Sequence, residues 1–285
     1  MLLLRPLFLL AALLLAMPGH AVPALWTVSK GGASLTLYGT IHALPPGGDW
    51  FSPRARAAFS KADTLVVEMV PPAETGAMAA TAQALGTLPA PVPIEQRLPA
   101  DLLPKYRALA AKGIPTQMLD GMKSWFAALN LVQLEMLLAG IDPAAGVDVT
   151  LIRDARAARK TLRGLETPMG QLELFNSLPE AEQRLLLASA ISEAGESATA
   201  MRALIAAWSA GDIARIRSEF DDSSLSPTLE MRLFRDRNAA WTRYVVRHLQ
   251  GKGRIFMAVG AAHMAGPDSL IEMLKARGFK VRRVE

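Results

Sequence analysis

The sequence predicts an α/β fold: a sheet formed by N- and C-terminal βαβ-like units with a large central helical insertion, about residues 71–250. Three observations predict it. Two apolar, strand-like runs, Leu35–Tyr38 and Ile255–Val259, stand near opposite ends of the chain, and each leads into Gly-x-x-His. Each run is followed by a helix signal and a further apolar run, the spacing of a βαβ unit. Between the two units the apolar residues recur mostly at helical spacing.

Residues 1–21 stand apart from this pattern. Arg5 is their only charge, Leu7–Met17 is uninterruptedly apolar, and Gly19-His20-Ala21 has the small-x-small form of a cleavage site. This reads as a signal peptide cut after Ala21, sending the protein to the periplasm or outside the cell. An uncleaved anchor is the competing reading, but the run is short for a membrane span. No stable span is expected in the mature chain.

Over all 285 residues, 51% hydrophobic and 20% charged composition marks a globular protein. Loss of Arg5 takes the formal charge from +5 to +4. The basic stretch Arg153, Arg156, Arg159, Lys160 and Arg163 places several charges on one helix face, without interleaved aromatics. Nucleic acid is not the expected partner. With no cysteine there is no disulfide, thiol nucleophile or Cys-bound metal, so any metal site must use His, Asp and Glu.

In order, Leu25–Lys30 and Ser34–Tyr38 form a hairpin about Gly31-Gly32. Ala43–Trp50, with two Pro and two Gly, is a loop. Ser52-Pro53 starts a helix running to about Ala62, with Ser as N-cap and Pro at the first helical position. Thr64–Val70 is a buried strand interrupted near its end by Glu68. Helices follow near Ala77–Leu85, Leu102–Lys112, Gly121–Ala139 and Val147–Lys160, the last with Asp148 in its first turn. Thr161–Leu165 is a short strand candidate closing on Glu166-Thr167, and residues 168–250 are mostly helical. After Ile255–Val259, Pro267 begins a helix ending before Gly278, and Phe279–Val284 is the closing strand.

Ligands of open α/β sheets sit beyond the carboxyl ends of the strands. His42, His263 and Glu68 are expected there together. Two neutral imidazoles and a carboxylate are a ligand set of catalytic zinc sites, and they suit manganese or cobalt equally. The competing account is two strand-capping histidines and a carboxylate paired with an Arg. Glu68 interrupts an apolar strand and so needs a cation, whether metal or Arg. His248, beside Arg243 and Arg247, reads as a solvated surface residue.

Six stretches then carry a resemblance. Gly39-Thr40-Ile41-His42, Val66-Val67-Glu68, Gly146-Val147-Asp148, Gly164-Leu165-Glu166-Thr167, Arg237-Asn238 with Trp241, and Val259-Gly260-Ala261-Ala262-His263 resemble the TraB/GumN family, related to the Tiki proteins. The likeness spans nearly the whole mature chain. It implies a metal-dependent, peptidase-like site acting on a peptide or protein, with His42, Glu68 and His263 as catalytic and metal-holding residues. Manganese or cobalt is the favoured ion, with zinc as another. Gly39, Asp148, Glu166, Arg237, Asn238 and Gly260 match signature positions and would support the ligands or orient the substrate. Two other readings stay open: a haem- or metal-binding protein without turnover, and a non-catalytic component of envelope or exopolysaccharide assembly.

Overall fold

The computed structural model describes residues 22–285 except Pro46, Thr75, Lys112, Gly113 and residues 222–225. The expected signal peptide, 1–21, lies outside the described residues. The fold is α/β, as expected, with a six-stranded sheet in the order β4-β3-β5-β2-β1-β6. Its strands are β1 (Leu25–Lys30), β2 (Gly32–Thr40), β3 (Thr64–Met69), β4 (Thr161–Glu166), β5 (Lys252–Gly260) and β6 (Arg282–Arg283). β1 and β2 form the predicted hairpin, tightened by Gly31 at φ 57°. β2, β5, β3 and β4 are mutually parallel, so their carboxyl ends share one rim of the sheet.

Ser52 caps α1 (Pro53–Lys61), its Oγ accepting from Ala55 N at 3.0 Å. Between β3 and β4 the chain forms α2 (Ala77–Gly86), α3 (Leu103–Ala111), α4 (Ser124–Leu138) and α5 (Val147–Ala157). After β4 come α6 (Pro168–Asn176), α7 (Glu180–Ser192), α8 (Ser197–Ser209), α9 (Ile213–Asp221), α10 (Pro227–Glu230) and α11 (Asp236–His248). A π-helical turn, Met231–Arg235, joins α10 to α11. α12 (Leu270–Lys275) follows β5.

Burial explains the layers. Alternation along the strands gives the sheet two apolar faces. One carries Tyr38, Leu65, Val67, Phe256 and Ala258 and packs with residues of α1, α5 and α8, among them Phe59, Leu151 and Trp208. The other carries Leu35, Leu37, Val66, Met257 and Val259, packed with α11 and α12 through Trp241, Val245, Leu270 and Leu274. α3, α4 and α7 build a separate core around Leu109, Leu131, Leu187 and Ile191. The helical insertion therefore has its own apolar centre.

The structure departs from the sequence reading at several points. The insertion returns β4 to the sheet edge beside β3. The closing strand shrinks to Arg282–Arg283 and pairs antiparallel with β1, two strands removed from β5. Pro267 does not start α12, because Ser269 is the N-cap, its Oγ accepting from Glu272 N at 3.2 Å. Gly278 does adopt positive φ, 79°. The basic stretch leaves its helix early: Arg159 turns at φ 54°, and Lys160 Nζ donates to Ala62 O at 2.6 Å. His248 is half-buried, its Nε2 3.3 Å from Ser34 O. Among the described residues, no helix is long and apolar enough to cross a membrane.

Candidate functional site

The register of the central strands builds the site. Gly39 pairs with Val259 and Thr40 with Gly260, so the two Gly-x-x-His motifs leave the rim as direct neighbours. Their glycines permit that approach. A Cβ on Gly39 would stand 3.1 Å from the Cα and Cβ of Ala261. A Cβ on Gly260 would enter the space between Glu68 Oε1 (3.2 Å) and His42 Nε2 (3.6 Å). Trp208 Nε1 donates to Gly39 O at 2.8 Å and pins the end of β2.

His42 is positioned from α5. Val147 N donates to Ile41 O at 3.0 Å, and a Cβ on Gly146 would come within 2.3 Å of His42 O. That close seating puts Asp148, in the first turn of α5, against the imidazole, with Nδ1 3.1 Å from Oδ1. Nε2 is left facing Glu68 Oε1 at 4.0 Å. Burial of the ring opposes its charge, but the hydrogen bond and charge of Asp148, with Glu68 beyond, raise the pKa to about 9. The side chain is 64% exposed, so water screens part of that pull.

His263 is in the opposite situation. It lies on the short 3-10 turn Ala261–Met264 and is buried against Trp241, with ring centroids 4.3 Å apart. Asn238 Nδ2 donates to Asp268 O at 2.8 Å, which turns Asn238 Oδ1 toward His263 Nδ1, also at 2.8 Å. An amide oxygen only accepts, so Nδ1 carries the proton and Nε2 presents a lone pair. Burial, with Arg237 nearby, lowers its pKa to about 3 despite the pull of Glu68, so the ring is neutral.

Glu68, near the end of β3, lies between the two rings. Oε1 accepts Gly260 N–H at 2.7 Å and is 3.9 Å from His263 Nε2. Oε2 takes Arg237 Nη2 at 2.5 Å. Burial opposes its charge, yet His263 (charged only in acid), His42, Arg237 and the Gly260 amide together hold the pKa near 2. Arg237, on α11, also grips Glu166 at the end of β4, Nε to Oε1 at 2.7 Å and Nη2 to Oε2 at 2.9 Å. Its Nη1 lies 3.2 Å from His263 Nε2 and donates to Leu233 O at 3.1 Å. Trp241 Nε1 (3.1 Å) and Gln171 Nε2 (3.1 Å) complete the donors to Glu166.

All nine candidates therefore meet at one rim. Sequence reasoning missed Gln171 and the π-helical turn, which brings Phe234 to 5.3 Å from the His263 ring. It also missed a role for Thr40 beyond its motif. Thr40 is buried, and among the described residues its Oγ1 has no hydrogen-bond partner. A hydroxyl inside a Gly-x-x-His motif whose counterpart, Ala261, has none was the available signal.

The donor set fits a cation in type. Each imidazole has one nitrogen fixed by an amide oxygen or a carboxylate and the other turned inward, the arrangement of supported metal ligands, and His42, with its raised pKa, would give up a proton to bind an ion. Formally, Glu68, Asp148 and Glu166 outnumber Arg237, leaving room for positive charge. Ligands at tetrahedral angles about an ion stand roughly 3.3 Å apart. The 4.0 and 3.9 Å separations from Glu68 Oε1 are somewhat wider. As they stand, no three such side chains among the described residues form a closed ligand group.

The chain is 24% identical over 261 residues to the uncharacterized protein YbaP of Escherichia coli (strain K12), covering 89% of this chain and 92% of that one. It is similar to the same degree, over the same shares, to the uncharacterized protein YbaP of Shigella flexneri. No solved structure matches it. Residues 24–283 match the TraB/PrgY/gumN family, and the chain belongs to that family.

Proposed function

We propose that the chain is an exported, metal-dependent hydrolase acting on a peptide or protein. The observation that carries the reading is the convergence of His42 Nε2 and His263 Nε2 on one oxygen of Glu68, at 4.0 and 3.9 Å. His42, Glu68 and His263 would hold the ion, with manganese or cobalt favoured and zinc compatible. A divalent cation bound there would polarise a carbonyl and lower the pKa of a bound water.

The protein's own groups divide the remaining work. A carboxylate held near pKa 2 is a weak proton acceptor at neutral pH, so Glu68 suits a ligand role better than that of general base. Asp148 and Asn238 orient the two rings. Arg237 keeps Glu68 ionised through Oε2, and an ion held by His263 Nε2 would displace the contact that Arg237 Nη1 makes there. The apolar leader, residues 1–21, supports export.

The test is metal content by mass spectrometry for the purified protein beside His42→Ala and Glu68→Ala, followed by a peptide screen. About one transition-metal ion per chain, lost in both variants, is expected. No uptake after incubation with manganese, cobalt and zinc would remove the reading.

A further inference from the structure

Toward the amino-terminal ends of the parallel strands, away from the His–Glu–His rim, a cleft of about 300 Å³ opens between α1, β2 and β5. Along β2, Ser34 of the cleft and Thr40 of the rim stand roughly 20 Å apart. Helical spacing builds one wall: Arg54, Ala58 and Lys61 recur at i, i+4 and i+7 on one face of α1. Strand alternation builds the floor. Leu35 and Leu37 enter the core on the far side of the sheet, which turns Ser34 and Thr36 toward α1. Arg254 pairs with Ser34 on the neighbouring strand and closes the cleft.

These groups are open to a ligand. Arg54, Lys61 and Arg254 are exposed, and Ser34 and Thr36 are half-buried. Arg54 is steadied by donating through Nη1 to Val284 O at 2.8 Å, and Arg254 Nη2 lies 3.3 Å from Asp63 Oδ1. Helix electrostatics explain only part of the arrangement. Lys61, in the last turn of α1, meets the negative end of the helix dipole. Arg54 stands in the first turn, where a cation is unfavourable and no acidic residue balances it. Three cations against the one carboxylate of Asp63 leave an excess of positive charge around a single hollow, and such a cleft concentrates anions. A carboxylate ligand would answer only one of those charges. A phosphate monoester brings nearly two, with three terminal oxygens for two guanidinium forks, an ammonium and two hydroxyls.

We propose that this cleft binds a phosphate monoester, carried by a small polar compound or by a lipid headgroup, with Arg54, Lys61 and Arg254 holding the phosphate and Ser34 and Thr36 donating their hydroxyls. The rest of the ligand lies along β1, where Thr27 and Ser29 oppose Thr36 and Ser34 and carry the hydroxyl floor outward. The site stands apart from the hydrolase reading and shares no residue with it.

The experiment titrates the protein with glycerol 3-phosphate by calorimetry at low ionic strength, where exposed charges are least screened. Saturable binding of one molecule per chain is expected. Arg54→Gln and Lys61→Gln should each weaken it by about 3- to 10-fold. Arg277→Gln, which removes an exposed cation just past α12 and outside the cleft, should change it by less than about 2-fold. Circular dichroism checks that every variant folds. No saturable binding, affinity unchanged in Arg54→Gln and Lys61→Gln, or an equal loss in Arg277→Gln would each overturn the site. Sedimentation with phosphatidylcholine vesicles, with and without phosphatidic acid, separates the two sources. Retention by phosphatidic acid that Lys61→Gln reduces and glycerol 3-phosphate displaces assigns a lipid headgroup. Glycerol 3-phosphate binding without retention on either vesicle assigns a soluble phosphate compound.

Discussion

Replacing Arg237 by Met removes the cation that holds two carboxylates at the rim. The Arg237 and Glu68 side chains are each 11% exposed and Glu166 is 17% exposed, so water cannot take over the lost charge. Breaking a buried pair by deleting one partner costs about 3–5 kcal/mol. The lower end applies, because Glu68 keeps the Gly260 amide and Glu166 keeps Trp241 and Gln171. About 3 kcal/mol is expected by urea unfolding at pH 7, with an unchanged m-value. The sign with pH follows from Glu68. Its folded pKa, about 2, lies below its unfolded value of 4.5, so its stabilising contribution is present above 4.5 and lost as pH falls through 2. Without Arg237 that depression shrinks, so the deficit of the variant should hold from pH 7 to 4.5 and narrow as pH falls further toward 2. A loss below about 1 kcal/mol at pH 7, or a deficit that widens in acid, would refute the reasoning.

Three further outcomes are expected. Thr40→Val should unfold at equal or higher urea, with a gain of up to about 1 kcal/mol, because it removes an unpaired buried hydroxyl; a loss above 1 kcal/mol would reveal a structural partner. The folded pKa of His263 is about 3 against an unfolded 6.5, so the unfolded chain binds more protons between those values and stability should drop as pH falls across that window. Nuclear magnetic resonance of the ring should show it neutral at pH 5 in the wild type and titrating at higher pH in Asn238→Asp, whose carboxylate favours the charged ring. Gly260→Ala should retain the fold by circular dichroism yet lose cation uptake, since its methyl would stand 3.2 Å from Glu68 Oε1; normal uptake would place the ion elsewhere.

Much of this was legible in the sequence because the relevant signals are local. Apolar runs punctuated by Gly31, Pro53 and Gly278 gave β1, β2, α1 and the end of α12 to within a few residues. The rule that parallel strands present ligands at their carboxyl ends placed His42, Glu68 and His263 together. The choice of cation beside Glu68 was not legible, since Arg237 lies on another layer and reaches it only through the packing of α11 on the sheet. The two imidazoles looked equivalent in sequence, yet exposure and partners drive their pKa values in opposite directions. Nor does strand propensity reveal that Phe279–Val284 meets only β1 at its tip.

The position of β5 has a consequence for how the protein comes into being. It is laid between β2 and β3, yet it is synthesised after β1, β2, β3 and β4. Until then β2 and β3 have no common neighbour, and each presents an open edge to whatever strand is near. His42 and Glu68 are by then synthesised, but the β5 register that aligns them, the Gly260 amide and His263 are all still missing. A nascent or prematurely stopped chain is therefore inert and adhesive at once, a client for chaperones. A stop codon ahead of Lys252 should yield insoluble protein with no residual site, and a tag at the C-terminus would report only completed molecules.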